Sequence, residues 1–110
     1  MRLVEARGLP PAPLDASAAF LAAALPQVRA AFADGDDLCI AFDPADHTHT
    51  AWRLAAVQSL AREATPVRVN AVASDEPDAI AAALGYLDRA PGVTGQYLRL
   101  DGHGAGNAAR

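Results

Sequence analysis

The sequence has no lysine, one cysteine and few aromatic residues, and each scarcity excludes some classes of protein. Its nine basic residues are all arginine and are outnumbered by 13 acidic residues, so the formal net charge is −4. This balance argues against nucleic acid or an anionic membrane as the partner. The single Cys39 cannot form an internal disulfide, which fits a reducing cytoplasm, and its apolar neighbours indicate a buried thiol rather than a nucleophile.

Long apolar segments are also missing. No run is long enough to span a bilayer, and residues 1–5 lack the apolar core of a secretory signal peptide. We therefore expect a cytoplasmic protein. The 110 residues, about a quarter of them alanine, can form one domain with a modest core. We expect that domain over residues 1–102 and a flexible, Gly- and Ala-rich tail over residues 103–110.

The sequence does contain an alternation of four strand-like and three helical runs. The predicted strands are residues 2–7, 38–42, 67–73 and 96–101. The first helix should kink or split at Pro26, and its apolar stripe is Leu21, Leu25, Val28 and Phe32. The second helix ends near Ala64, and the third covers residues 77–88. This alternation predicts an α/β domain with a four-stranded parallel sheet.

The stretch GVTGQYLRLDGHG at residues 92–104 resembles the last strand of the short-chain dehydrogenase/reductases, a family of nicotinamide-dependent oxidoreductases. VRVNAVA at residues 67–73 is similar to the family's sixth strand, and the resemblance is strongest over residues 60–102. LVEARG at residues 3–8 stands in the place of the fourth strand. The chain therefore resembles the C-terminal half of that Rossmann-like fold, which implies the fourth to seventh strands side by side in chain order.

The position of the last helix distinguishes two expectations. Right-handed crossovers between sequential parallel strands would place all three helices on one face of the sheet. The family departs from this rule at its final crossover. The resemblance therefore implies that the helix over residues 77–88 lies on the opposite face from the other two.

The chain departs from the family where the family binds its cofactor and carries out its chemistry. It has no Gly-rich turn between a strand and a helix, and residues 5–8 read EARG where the family has N-N-A-G. Counting back from Leu60 puts Asp46 at the position of the catalytic Tyr and Thr50 at that of the catalytic Lys. Without any lysine, the family's Tyr/Lys proton relay is impossible within this chain. We therefore expect no nicotinamide cofactor and lean against enzyme activity.

Four polar side chains follow the second strand, at the edge where open α/β sheets bind ligands; they are Asp43, Asp46, His47 and His49. A carboxylate with two histidines could bind Zn²⁺ or act as an acid–base pair. The alternative is a solvated loop whose residues cap the next helix. Because an H-x-H pair with only neighbouring acids is a weak metal signal, the cap is the favoured interpretation.

The favoured function is a catalytically inactive protein that acts by association. It would form a homo-oligomer, a dimer or larger, or serve as a structural or regulatory subunit of a full-length, active family member. Parallel sheets need both faces covered, and three short helices cover them poorly. By resemblance, the second helix and the last strand make the subunit contacts, so the candidate interface residues are Trp52, Ala56, Tyr97 and Leu98. Trp52 fits a core position equally well, and Leu98 also fits the core.

Two alternatives from other classes remain open. One is a small enzyme that uses Asp46, His47 and His49 on this scaffold. The other is a binding module for a metal or a small ligand at the same edge of the sheet. Metal content and pocket geometry separate these alternatives from association, which oligomer mass tests directly.

Overall fold

The computed structural model describes residues 1–100 and 108–109, and its strands and helices alternate as predicted. A short 3₁₀ turn precedes the third α-helix. In chain order the elements are β1 (Arg2–Ala6), α1 (Pro13–Ala23), α2 (Leu25–Ala33), β2 (Leu38–Phe42), the 3₁₀ turn (His47–His49), α3 (Thr50–Ala64), β3 (Val69–Ala73), α4 (Pro77–Asp88), β4 (Tyr97–Leu100) and β5 (Ala108–Ala109).

The sheet has the predicted strand order. Strands β1 to β4 are parallel and adjacent in chain order, so that Val4 lies beside Ile40 and Ile40 beside Ala71. The central strands β2 and β3 are buried along their whole length, as continuous apolar runs require. One further strand, β5, was not predicted. It pairs antiparallel with β4. The rest of the predicted tail, residues 103–107 and 110, lies outside the described residues.

The first predicted helix is in fact two helices, which separate at Ala24 with a bend of 43°. Pro26 lies in the first turn of α2, where the backbone N–H that it lacks would have no helical partner. The predicted split is therefore confirmed. Within the described residues, no single helix is long and apolar enough to cross a membrane. The bent pair of α1 and α2 taken together has the length and composition of a membrane span, on those two criteria alone.

The predicted stripe of the first helix was wrong within α1. Leu21 is 49% exposed, whereas its neighbour Phe20 is completely buried. Phe20 points inward because its ring packs against Phe42 of β2 and Trp52 of α3, with ring centroids 5.3 and 5.8 Å apart. The larger aromatic side chain thus takes the core position and leaves the leucine at the surface.

The two faces of the sheet carry separate cores. On one face α1, α2 and α3 pack against alternate residues of the strands, among them Val4, Ile40 and Ala71. On the other face α4 alone packs against the intervening residues; this smaller core contains Cys39, Ala41, Val72, Ile80, Ala83 and Leu87. The resemblance therefore predicted the position of α4 correctly, and the expectation of all helices on one face is wrong. The apolar side chains that β2 and β3 present to the second face require this cover.

Burial of Cys39 in the smaller core agrees with its predicted role as a small apolar side chain. It is completely buried on β2. Desolvation raises the pKa of its thiol to about 12, so the thiolate that nucleophilic chemistry requires is not available.

Residues 93–96, which read V-T-G-Q, form the turn that precedes β4. Gly95 has a φ of 73°, in the left-handed region, and its N–H donates to the carbonyl of Val69 at 2.8 Å. The Thr94 hydroxyl accepts from the Val69 N–H at 3.1 Å, and the buried Asn70 accepts from the Gln96 N–H at 3.0 Å. These bonds fix β4 beside β3.

At the opposite, amino edge of the sheet, one ion pair joins three elements. Asp37 accepts from the backbone N–H and from Nε of Arg68, both at 2.9 Å. The Arg68 N–H, together with the guanidinium, holds the pKa of Asp37 below its usual range. Nη1 of Arg68 also donates to the carbonyls of Leu87 and Ala90, so it caps the C-terminal end of α4.

Candidate functional site

At the carboxyl edge of the sheet, Asp43 follows β2 directly and is held by the end of β1. Its carboxylate accepts hydrogen bonds from the Gly8 N–H at 2.9 Å and from Nη1 of Arg7 at 3.0 Å. The Gly8 N–H and then the guanidinium of Arg7 hold the pKa of Asp43 below its usual range, and the charge of Arg53 acts in the same direction. Asp43 is therefore an ionised carboxylate that joins β1 to β2.

Asp46 caps the 3₁₀ turn that precedes α3, whereas the cap interpretation placed the cap on the helix itself. The N-cap residue of α3 is His49, which makes no side-chain cap hydrogen bond. Its carboxylate accepts from the Thr48 N–H at 2.9 Å and from the Thr48 hydroxyl. The hydroxyl and then the N–H lower the pKa of Asp46. His47 is exposed within the same turn, so these residues have the geometry of a solvated N-cap.

His49 differs from His47 because it is only 7% exposed. Its Nε2 lies 3.0 Å from the carbonyl oxygen of Pro11, and its Nδ1 lies 3.0 Å from the indole Nε1 of Trp52. An indole N–H can only donate and a carbonyl can only accept, so these partners place the proton on Nε2. Both ring nitrogens are engaged, and no lone pair remains for a metal ion in this arrangement.

The predicted polar residues are therefore neighbours that do not converge on one point. Within the described residues, no group of three or more His, Cys, Asp or Glu side chains could hold a metal ion. Asp46 faces Thr48, whereas His49 bridges α3 to the loop before α1. Metal or acid–base chemistry at Asp46, His47 and His49 stays the less favoured alternative to the cap.

Arg53 dominates the edge and was not predicted. It is only 3% exposed, and its Nη1 donates to the Asp43 carbonyl at 2.9 Å and to the Tyr97 hydroxyl at 3.0 Å. Its guanidinium lies over the Phe42 ring at 4.5 Å and near the Trp52 ring at 5.7 Å, within cation–π range. Nε is buried and has no hydrogen-bond partner in the part of the chain that the structure describes. Arg53 is thus a cation held mainly by neutral groups and aromatic rings.

The helical spacing of α3 contained a signal for Arg53. The position lies in register with the buried side of the helix, which runs His49, Arg53, Val57, Leu60 and Ala64. A charged residue at a core position of an amphipathic stripe is rare unless it is paired. The pattern could therefore have marked Arg53 as a residue with a special environment.

Arg7 closes the same edge from the other side. Its Nη1 donates to the Ser74 carbonyl at 2.7 Å and lies 3.2 Å from the Phe42 carbonyl, in addition to its bond with Asp43. Arg7 thus joins the ends of β1, β2 and β3. A cavity of about 120 Å³ remains at this edge, lined in part by Asp43, His49 and Arg53.

Two of the predicted interface residues, Trp52 and Ala56, line a groove of about 360 Å³ between the helices. We call it the α1–α3 groove; it is formed by Ser17, Leu21, Leu25, Arg29, Trp52, Ala55, Ala56, Ser59, Leu60 and Glu63. Arg29 and Glu63 form a two-bond ion pair across it, at 2.8 and 3.1 Å. Trp52 is partly buried, because one side of its ring belongs to the aromatic core and another borders the groove.

The other two predicted interface residues, Tyr97 and Leu98, point to opposite faces of the sheet. Tyr97 packs against the larger core and accepts a hydrogen bond from Arg53, whereas Leu98 packs against the smaller core. Both are partly buried. They therefore do not form one continuous surface, and their place in a subunit interface stays a prediction.

The strand order and the isolated position of α4 define a Rossmann-like α/β domain. A family model described as short chain dehydrogenase-like protein, SDR-like, matches residues 4–100. The chain therefore belongs to the short chain dehydrogenase-like family, as its resemblance indicated. Comparison with curated proteins gave no match, and neither did comparison with solved structures.

Proposed function

We propose that this protein is a catalytically inactive member of its family that acts by associating with another protein subunit. The observation that carries the proposal is the α1–α3 groove. Leu21 and Leu25 are apolar side chains on adjoining helices, yet Leu21 is 49% exposed and Leu25 is only partly buried. Apolar side chains gathered at a surface groove are typical of interaction sites.

The carboxyl edge of the sheet supports the inactive part of the proposal. Arg7 and Arg53 occupy this edge with hydrogen bonds to strand-end carbonyls and to Tyr97. The remaining cavity of about 120 Å³ is smaller than the roughly 300–1,000 Å³ of most small-molecule sites. Asp46, at the family's tyrosine position, is engaged with Thr48.

A second copy of the chain is the partner that the groove favours, and a full-length family member is the other candidate. The groove carries one positive and one negative side chain, Arg29 and Glu63. In a twofold interface each Arg29 can exchange its Glu63 for that of the other copy, because the same patch faces itself. Such an exchange keeps both charges paired while the apolar side chains between them are buried.

Light scattering of the purified chain at tens of micromolar tests association. We expect a dimer or larger for the natural sequence and a shift towards monomer for Ala55→Glu. Ala82→Glu is the matched control, because Ala82 is also an exposed mid-helix alanine but lies on α4, away from the groove. A monomeric mass for the natural chain, together with a cooperative melt, would contradict the proposal.

Titration with NADH and NADPH tests inactivity separately. We expect no saturable change in cofactor fluorescence, because the chain has no Gly-rich turn to receive the pyrophosphate. A full-length dehydrogenase of the family serves as the positive control. A dissociation constant in the low micromolar range would show that the cofactor part of the proposal is wrong, whatever the oligomeric state.

A further inference from the structure

Among residues 1–100, no helix covers the α4 face of the sheet beside β1. Val4 and Ala6 are buried in the larger core, so the alternating side chains Leu3 and Glu5 belong to the α4 face. Leu3 is 37% exposed there. A groove of about 420 Å³ separates β1 from α4. We call it the β1–α4 groove; its walls include Leu3, Glu5, Asp75, Pro77, Ile80 and Leu84.

The outer edge of β1 runs alongside this groove. The Arg2 N–H donates to the carbonyl of Asp37 at 2.8 Å, so alternate residues of β1 turn their backbone groups towards β2. Leu3 and Glu5 consequently turn their N–H and C=O groups outward. No strand among the described residues pairs with this edge. Such an edge is a template on which another strand can form.

The spacing of the sheet fits one helix into the groove. Helix α4 contacts β2, β3 and β4 and is therefore centred on β3. Strand β1 lies two strand spacings away, about 10 Å, which is the usual distance between packed helix axes. A helix packed beside α4 would lie directly over β1 and cover Leu3.

A second copy of this chain could pair with the β1 edge but would not cover Leu3. If two copies paired antiparallel along β1 about a twofold axis, both α4 helices would lie on the same face, on either side of the new central strands. The backbone edge would be filled, but an open trough would remain over both copies of Leu3. A partner that brings a helix as well as a strand would fill both the edge and the trough.

The charges around the groove add a requirement on the partner. Glu5, Asp43 and Asp75 line it, and Arg7 is the basic residue among its lining side chains. Arg7 already lies 3.0 Å from Asp43 and 3.5 Å from Glu5. The local excess is acidic, so a complementary partner carries a basic side chain near Glu5 and Asp75.

We propose that the β1 edge and the β1–α4 groove together bind a strand–helix unit of a different polypeptide. The strand of that unit pairs with β1. Its helix lies over β1 against Leu84 with an apolar side, and it directs a basic residue towards Asp75. This inference rests on the proposed function of protein association, and it uses a surface separate from the α1–α3 groove.

Photo-crosslinking from position 3 in the cells that make the protein tests this inference. The full chain carries p-benzoylphenylalanine in place of Leu3, and the crosslinked peptide is sequenced by mass spectrometry. We expect the crosslink to map to a strand–helix segment of another protein. The same crosslinker in place of Leu14, which is 86% exposed on α1 and outside the groove, provides the background.

A matched pair of substitutions shows whether the groove itself is used. Ala81 lines the groove and Ala82 does not, although both are exposed on α4. We expect Ala81→Glu to reduce the position 3 crosslink at least tenfold and Ala82→Glu to leave it within twofold. A crosslink to a second copy, a yield no higher than from position 14, or equal effects of the two variants would overturn the inference. The light-scattering mass of Ala81→Glu separates these outcomes from a failure of self-association, because the α1–α3 groove is intact in this variant.

Discussion

The two faces of the sheet differ in how completely the chain covers them. On the larger face, three helices and an aromatic cluster around Phe42 bury side chains from β1, β2 and β3. On the smaller face, α4 buries side chains from β2 onwards and leaves Leu3 at the surface. One face is therefore complete within a single chain, and the other ends where β1 begins. The difference shows that the chain buries side chains of β1 on the larger face and leaves Leu3 of the same strand exposed on the smaller one.

Truncation of one buried side chain on each face gives the largest expected effect. Phe42 and Leu87 are both completely buried, on the larger and smaller face respectively. We expect Phe42→Ala to lower the free energy of unfolding by about 3–5 kcal/mol, because it empties the centre of the aromatic cluster. The loss for Leu87→Ala should lie at the lower end of about 2–5 kcal/mol, since the less crowded face can collapse around the gap. Urea denaturation followed by circular dichroism measures both, and a larger loss for Leu87→Ala would reverse the comparison.

Removal of the buried cation on the larger face comes next. Arg53→Ala should cost about 2–4 kcal/mol, because the Tyr97 hydroxyl and the Asp43 carbonyl lose a charged donor and the rings lose a cation. Arg53→Met keeps most of the packing and should recover about half of that loss. The exposed Arg62 on the same helix is the control, with an expected change within about 0.5 kcal/mol for Arg62→Met. If Arg53→Ala behaved like the control, the guanidinium would have no structural role.

The two histidines allow a smaller and sharper test at the edge of the same face. A solvated cap, the interpretation favoured from the sequence, implies that both could be replaced at little cost, but the buried position of His49 changes this expectation for one of them. We expect His49→Ala to cost about 1–3 kcal/mol, because Trp52 Nε1 and the Pro11 carbonyl lose their partner. His47→Ala should stay within about 0.5 kcal/mol. Thermal melts with zinc analysis check this, and stoichiometric Zn²⁺ that disappears in His47→Ala would favour the metal-binding alternative instead.

Acid gives the smallest expected effect and acts on both edges of the sheet. The pKa values of Asp37 and Asp43 lie below the ordinary 3.8, so each ionised carboxylate stabilises the fold above that pH. This contribution is lost as the pH falls below about 4 and through the lowered values. Both side chains are partly exposed, at 34% and 43%, so each should contribute no more than about 1 kcal/mol. Asp37→Asn and Asp43→Asn should flatten the dependence of the free energy of unfolding on pH between 2 and 5; an unchanged slope would contradict the assignment.

Local signals in the sequence predicted the elements well. The apolar run at residues 38–42 predicted β2, and Pro26 predicted the break between α1 and α2. Both features depend on only a few neighbouring residues. The register of α1 was not predictable in this way. Phe20 and Leu21 are adjacent, and only contact with Phe42 decides which of them points inward.

Long-range contacts also explain which features of the candidate site could not be predicted from the sequence. Arg53 lies among three aromatic rings, and two of them, Phe42 and Tyr97, belong to strands that are distant in the sequence. Helical spacing alone therefore indicated only an unusual position. His47 and His49 are two residues apart, yet the 3₁₀ turn exposes the first and buries the second. The side of the sheet on which α4 lies was predicted correctly by the resemblance alone. The general rule of right-handed crossovers predicted the opposite side.

The sequential order of β1 to β4 has a consequence for how the chain acquires its structure. Each strand pairs with the strand synthesised just before it, across a single crossover, so no pairing has to wait for a distant segment. The buried residues of the larger core come from β1, β2, β3, α1, α2 and α3, all of which precede α4, and the partly buried Tyr97 of β4 packs against them. We expect the larger core to form before α4 packs against the sheet, which hydrogen exchange during refolding would detect.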